Sequence, residues 1–170
     1  MNTDIIIRPA RETDIPRVLG FIRELARYER LEHEVIATED DLREALFGAR
    51  RYAEVAFACV DSEPVGFMLY FHNFSTFRGR PGIYLEDLFV LPQMRGRGVG
   101  RRLLEWLAGI ALERRCARLE WAVLDWNAPS IAFYESLGAV PLDEWRTFRL
   151  TGAALERLGR QSRPDSRGRP

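Results

Sequence analysis

Residues 83–100 read I-Y-L-E-D-L-F-V-L-P-Q-M-R-G-R-G-V-G. From Ile83 to Val90 the run is short and nearly continuously apolar, broken only by Glu86 and Asp87, and a proline and a glycine-rich loop follow it. Beyond the loop, Leu103, Leu104, Trp106, Leu107, Ile110, Ala111 and Leu112 recur at helical spacing. The order is strand, glycine loop, helix. Gly96, Gly98 and Gly100 let backbone N–H groups approach an anion at the helix N-terminus without Cβ obstruction, and Arg95, Arg97 and Arg101 add positive charge. The G-x-G-x-G spacing misses the dinucleotide fingerprint G-x-G-x-x-G, and without a lysine the loop is not of the NTPase type. What remains is a pyrophosphate cradle of the kind that suits coenzyme A, or, more plainly, a flexible turn beside an arginine patch.

Working outward, Ile5 to Arg8 reads as a β-branched strand, and Thr13, Asp14 and Pro16 open a helix with Ile15, Val18, Leu19, Ile22, Leu25 and Ala26 on one face. Thr38 and Asp41 form a capping box for a second helix that Gly48 ends. Alternation from Val55 to Val60, a turn at residues 61–64 and a return from Val65 to Phe74 predict a hairpin. The turn-rich stretch Asn73 to Gly82 predicts a mobile loop. Downstream, Arg118 to Leu124 reads as a strand, Asn127 as the N-cap of a short helix ended by Gly138, and Val140 to Leu150 as a final pair of strands. A strand–helix–strand crossover of this kind favours parallel neighbours. The tail from Gly159 to Pro170, rich in Gly, Pro, Ser and Arg, is expected to lack structure.

The chain has 170 residues, 46% of them hydrophobic, with 25 basic and 25 acidic side chains, which suits one globular domain with a real core. Every basic residue is arginine. Chemistry that needs a lysine amine, such as a pyridoxal Schiff base or kinase-type catalysis, is thereby excluded. Zero net charge provides no field for a polyanion and argues against a nucleic-acid binder. Cys59 and Cys116 form neither a disulfide framework nor a metal-spaced cluster, and His33 and His72 stand alone, so no metal site and a reduced, cytoplasmic protein are expected. No stretch is long and apolar enough for a signal or a membrane span.

The segment 83–100 resembles the acyl-CoA-binding segment of the GCN5-related N-acetyltransferases, Q/R-x-x-G-x-G/A. More narrowly, residues 122–127 (A-V-L-D-W-N) and 133–139 (F-Y-E-S-L-G-A) are similar to the diamine (spermidine/spermine) N-acetyltransferases and their thialysine-acetylating relatives. Residues 7–10 and 22–29 are similar to the same subfamily, so the likeness runs from about Ile5 to Leu158. It implies an α/β (α+β) domain over residues 1–158, with a mixed twisted sheet of about seven strands flanked by helices and splayed at its centre for acetyl-CoA. The tail 159–170 lies outside that domain.

By the same resemblance, Leu88, Phe89 and Val90 pair their backbone with the pantetheine arm, one N–H polarising the thioester carbonyl. Arg95, Gly96, Arg97, Gly98, Val99, Gly100 and Arg101 take the pyrophosphate. Asn127 and Ser130 line the cofactor, a helix cap being the competing reading for Asn127. Tyr134 matches the general acid that protonates the departing thiolate, against a core aromatic beside Phe133, which neighbouring positions on a helix would turn to a different face. Glu86 matches the base that deprotonates the attacking amine; an ammonium has no lone pair. Asp87 should face the opposite side of the strand, so both acids serve one cavity only if a bulge intervenes. For both, the plainer reading is a strand-end acid bound to arginine. Tyr28, Glu29, Glu86, Asp87 and Glu120 match the amine side, a solvated helix end with Arg27 and Arg30 being the alternative for the first two. Glu120 and the loop 73–82 depart from the polyamine enzymes, and residues 122–127 lean toward the thialysine type.

The function implied is acetyl transfer from acetyl-CoA to a primary amine of a small diamine, polyamine or amino-acid-like molecule, by direct attack in a ternary complex. Subfamily members are homodimers, and the same is expected here. The alternatives are acetylation of a protein lysine or N-terminus, and a non-catalytic acyl-CoA sensor lacking the roles of Tyr134 and Glu86.

Overall fold

The computed structural model describes residues 4–161. They fall into two compact units, the first ending at Ala122 and the second beginning at Val123. In the first, five strands form one sheet in the order β1 (Ile6–Pro9), β2 (Glu54–Val60), β3 (Glu63–Ser75), β4 (Arg80–Val90) and β5 (Leu119–Trp121). Neighbours are antiparallel except β4 and β5, which are parallel and joined through α3 (Val99–Glu113). The fold class is as expected, with five strands rather than seven.

Two helices precede β2. Asp14 stands at the N-cap of α1 (Ile15–Glu29), which carries a proline in its first turn. Thr38 opens α2 (Glu39–Phe47) with both bonds of the capping box: Asp41 N donates to Thr38 Oγ1 at 3.2 Å and Thr38 N donates to Asp41 Oδ2 at 2.9 Å. The pleat divides the core between two layers. Val55, Phe57, Cys59, Phe67 and Phe89 face Ile15, Val18, Leu19 and Phe21 of α1 with Leu42 and Leu46 of α2. Phe21 is the hub, its ring centroid 5.3 Å from Phe67 and 5.8 Å from Phe57. On the opposite face the strands present smaller residues, including Ala56, Ala58 and Gly66, beneath α3 and its buried Leu103, Leu104 and Leu107. A Cβ on Gly66 would stand 3.3 Å from Val99 Cγ1, so that glycine seats the first turn of α3 on the sheet.

Residues 73–82, expected as a mobile loop, are mostly strand: Asn73, Phe74 and Ser75 pair with Gly82, Pro81 and Arg80, leaving residues 76–79 as the turn. The hairpin is anchored across its own width. Asn73 Nδ2 donates to Glu120 Oε2 at 2.7 Å, passing over Gly82 on the intervening strand, and Glu120 also pairs with Arg118 at 2.8 Å. Turn-forming residue types misled the sequence reading because this bond offsets their weak strand preference.

In the second unit, Asn127 caps α4 (Ala128–Glu135) and α5 spans Gly152–Gln161. No strand forms at 140–150; the apolar spacing there is real, but a strand exists only by pairing, and Trp145 and Phe148 are exposed. The strand expected from Arg118 to Leu124 shrinks to β5 for the same reason. Helix α5 continues past the expected boundary at Leu158, and residues 162–170 of the expected tail lie outside the described residues.

Replacing Gly82 by valine would drive a Cβ into Asn73 Oδ1 and to 3.0 Å from Arg118 Cγ. Urea denaturation should show a loss of about 1–3 kcal/mol; a wild-type midpoint would mean the crossing bond contributes nothing.

Candidate functional site

The pairing of β4 changes character at one point. On its β3 side the register shifts between Leu69 and Tyr70: Tyr70 opposes Leu85 and Leu69 opposes Asp87, leaving Glu86 as the extra residue of a β-bulge. On its other side, pairing with β5 covers Ile83, Tyr84 and Leu85 and then stops. Opposed residues share a face, so Leu85 joins Tyr70 on the α3 layer while Asp87 joins Leu69 and Phe89 on the α1 layer. The bulge anticipated as the condition for both acids to serve one cavity is present.

It brings together three carboxylates. Burial, then the charge of Glu86, then that of Glu29 at the end of α1, push the Asp87 carboxyl up to about 7. Burial raises Glu29 as well. Among the described residues eight arginines pair with acids elsewhere, as Arg8 does with Asp14 at 2.7 Å, yet none lies within ion-pair distance of Glu29, Glu86 or Asp87. Arg27, the neighbour suspected of neutralising the helix end, binds Glu24 at 2.7 Å and Glu32 at 3.1 Å instead. Glu120 is held apart from this group, its carboxylate occupied by Asn73 and Arg118.

Past the bulge, Leu91 N donates to Val65 O on β3 at 3.0 Å, so by strand alternation Phe89 also turns its backbone toward β3 while Leu88 and Val90 turn theirs away. No described strand pairs with β4 on that side beyond Leu85. Of the three residues expected to offer backbone bonds, Leu88 and Val90 have the outward geometry; the Phe89 side chain is buried in the α1 layer.

The glycine loop follows a 3-10 turn at Pro92–Met94. Gly96 and Gly98 have φ of 72° and 81°, the left-handed region that favours glycine. Gly98 is the N-cap of α3 and supplies no side-chain acceptor, in contrast to Thr38 and Asn127 on α2 and α4. The first N–H groups of a 15-residue helix are therefore without a side-chain cap. Arg97 and Arg101 are exposed and make no ion pair among the described residues, whereas Arg102 pairs with Glu105 at 3.3 Å. Positive-φ glycines, an uncapped helix start and two unpaired guanidinium groups fit a pyrophosphate. Arg95 is turned elsewhere, its guanidinium carbon 4.5 Å from the ring centroid of Tyr28.

In the second unit Asn127 is buried, and its Oδ1 accepts a long hydrogen bond from Ser130 N at 3.4 Å, so the capping role is the one seen. Ser130 is half-buried. Phe133 and Tyr134 do not diverge to different environments: both are half-buried, with ring centroids 5.4 Å apart. Two residues escaped the sequence reading. Asn73 supports Glu120 from the far strand across Gly82 on the intervening one, and only the pairing of a glycine with an amide across a hairpin could have signalled it.

The acetyltransferase (GNAT) family model matches residues 18–139. The chain belongs to the GNAT acetyltransferase family. It is 39% identical over 165 residues to a thialysine N-epsilon-acetyltransferase of Bos taurus, covering 91% of this chain and 96% of the relative. An L-ornithine N5-acetyltransferase of Arabidopsis thaliana is 31% identical, covering 89% and 86%. Among solved structures, an integron cassette protein from V. cholerae superposes with a TM-score of 0.77 at 29% identity, covering 94% of this chain and 98% of that one. Among the described residues of this acetyltransferase, no helix is long and apolar enough to cross a membrane.

The raised Asp87 has a stability consequence whose sign is fixed. Its carboxyl titrates near 3.8 when unfolded and about 7 when folded, so between those values the native state holds more protons and stability falls as pH rises. Asp87→Asn should flatten the stability profile across that window and exceed wild type above pH 7; the same dependence of stability on pH in both chains, from urea denaturation across that window, would contradict the burial of this charge.

Proposed function

We propose that this acetyltransferase is an N-acetyltransferase that uses acetyl-CoA and acts on the primary amine of a small cationic acceptor, a diamine or an amino-acid-like amine, by direct attack in a ternary complex. The observation that carries the acceptor class is the group Glu29, Glu86 and Asp87, gathered at one bulge without a basic partner among the described residues. A small molecule with a second charge suits it, and the names of the thialysine and ornithine relatives run the same way.

Acetyl-CoA, when bound, supplies the acetyl thioester. Gly96 to Arg101 hold its pyrophosphate through backbone N–H groups, Arg97 and Arg101. Leu88 would offer its backbone N–H and C=O, and Val90 its N–H, to an extended amide chain along the unpaired side of β4, and an N–H there would donate to the carbonyl oxygen as negative charge develops. Glu86 accepts the proton of the incoming ammonium, directly or through water, and Asp87 and Glu29 hold the cation in place. Tyr134 Oη gives its proton to the departing sulfur; this role rests on the sequence match at residues 133–139.

A second reading of the base comes from Asp87, whose value of about 7 suits proton transfer near neutral pH. The pH dependence of turnover decides between them: if Glu86 is the base, Glu86→Gln abolishes the acidic limb of kcat/KM and Asp87→Asn chiefly raises the acceptor KM, and the reverse pattern assigns the proton to Asp87.

Thiol release from acetyl-CoA with thialysine, lysine, ornithine, spermidine, putrescine and a lysine peptide tests the whole reading. Saturable turnover with small amines is the expected result; turnover with the peptide alone would make the chain a protein acetyltransferase, and CoA binding without any turnover would favour a sensor. Tyr134→Phe should lower kcat by about 100-fold with CoA affinity unchanged, and an unchanged rate would remove Tyr134 as the acid.

A further inference from the structure

The sequence match puts Arg95 in the pyrophosphate cradle, but its side chain leaves the loop. The guanidinium carbon lies 4.5 Å from the ring centroid of Tyr28 and 5.4 Å from that of Phe89, and Nε donates to Val90 O at 3.1 Å. One side chain thus touches the last turn of α1 and the end of β4. Tyr28 directly precedes Glu29, and Arg30 closes the helix at φ 62°, so ring and carboxylate belong to one terminal turn. Val90 is one of the two residues whose backbone turns outward along the unpaired side of β4.

We infer that Arg95 is a positioning residue that couples the acceptor side of the site to the glycine loop, rather than a ligand of the cofactor phosphates. The inference rests on the acetyl transfer proposed above. A guanidinium over an aromatic face and bonded to a backbone carbonyl holds the two at a fixed separation, because its planar fork fixes both directions at once. Arg95 therefore sets where Tyr28, and with it Glu29, stands relative to the strand that carries Glu86 and Asp87. The backbone of residues 95–98 takes its own conformation from Gly96 and Gly98, so the loop keeps its anion-binding shape without the Arg95 side chain.

The two roles separate in binding and kinetics. For the full chain, CoA affinity is measured by calorimetry, and KM and kcat with whichever small amine the wild type acetylates, for Arg95→Gln, Tyr28→Leu, the double variant and Arg97→Gln. The contact energy of such a pair corresponds to about a three- to thirtyfold effect. Arg95→Gln is expected to raise the acceptor KM by about tenfold with kcat and CoA affinity within about threefold of wild type. Adding it to Tyr28→Leu should change KM little further, since both remove the same contact. Arg97→Gln should do the opposite, weakening CoA and sparing the acceptor. If Arg95→Gln weakens CoA by about tenfold or more with the acceptor KM unmoved, or if the two substitutions add fully, the coupling role is overturned. If the wild type binds CoA but acetylates no amine, it is the proposed function that has failed. The inference is then judged on CoA alone: wild-type affinity in Arg95→Gln beside a loss in Arg97→Gln upholds the exclusion of Arg95 from the phosphates, and equal losses overturn it. Arg95→Met, which keeps the aliphatic stem against Phe89, replaces the glutamine variant if that one does not fold.

Discussion

A β-strand in the middle of a sheet normally spends its backbone on two neighbours, and β4 does so only as far as Leu85. Beyond that residue one side keeps the antiparallel ladder to β3 while the other has no described strand, and the bulge at Glu86 falls on the same spot. The cost of unpaired backbone groups makes such an edge a place for a ligand with amides of its own. The other features are arranged around this departure: α1 delivers Glu29 to one layer, α3 seats its uncapped first turn over Gly66, and the Asn73–Glu120 bond fixes the short stretch where β4 and β5 still meet.

The electrostatics follow the same division. A chain with equal numbers of acids and arginines can neutralise most of its surface locally, and much of it does, through Arg8–Asp14, Arg114–Glu54 and Arg118–Glu120. Two groups of opposite sign flank the second half of β4 without an ion pair among the described residues: the carboxylates at the bulge, and Arg97 with Arg101 at the start of α3. On the function proposed above, this division would draw a cationic acceptor to the strand and an anionic cofactor to the loop. Burial adds a second effect, since with the neighbouring carboxylates it makes Asp87 reluctant to carry its charge.

Much of this could be read from residue types. The capping box of α2, the apolar face of α1 and the strand–glycine–helix order each depend on chemistry confined to a few neighbouring positions, and each has its expected place. What escaped the reading depends on partners distant in the chain. The turn-rich composition of 73–82 concealed an anchored hairpin because Glu120 lies on another strand, and the apolar spacing of 140–150 promised strands, which form only by pairing and do not form among the described residues. The bulge was legible only as a condition, two acids in an apolar run. The side-chain direction of Arg95 lay beyond the motif for a third reason: a motif fixes where a side chain starts, and the rings of Tyr28 and Phe89 are what its guanidinium lies against.

The bulge also acts as a frame marker. Because it lets Leu85 enter one layer and Asp87 and Phe89 the other, adding or removing a single residue between them would exchange the layers for everything up to the glycine loop, turning a carboxylate into the hydrocarbon beneath α3 and Phe89 away from Phe21. Residues 76–79 carry no such burden, since a longer turn leaves the register of both strands intact. Length variation is therefore cheap at the hairpin tip and closed to the five residues from Leu85 to Phe89, where any change has to come by substitution.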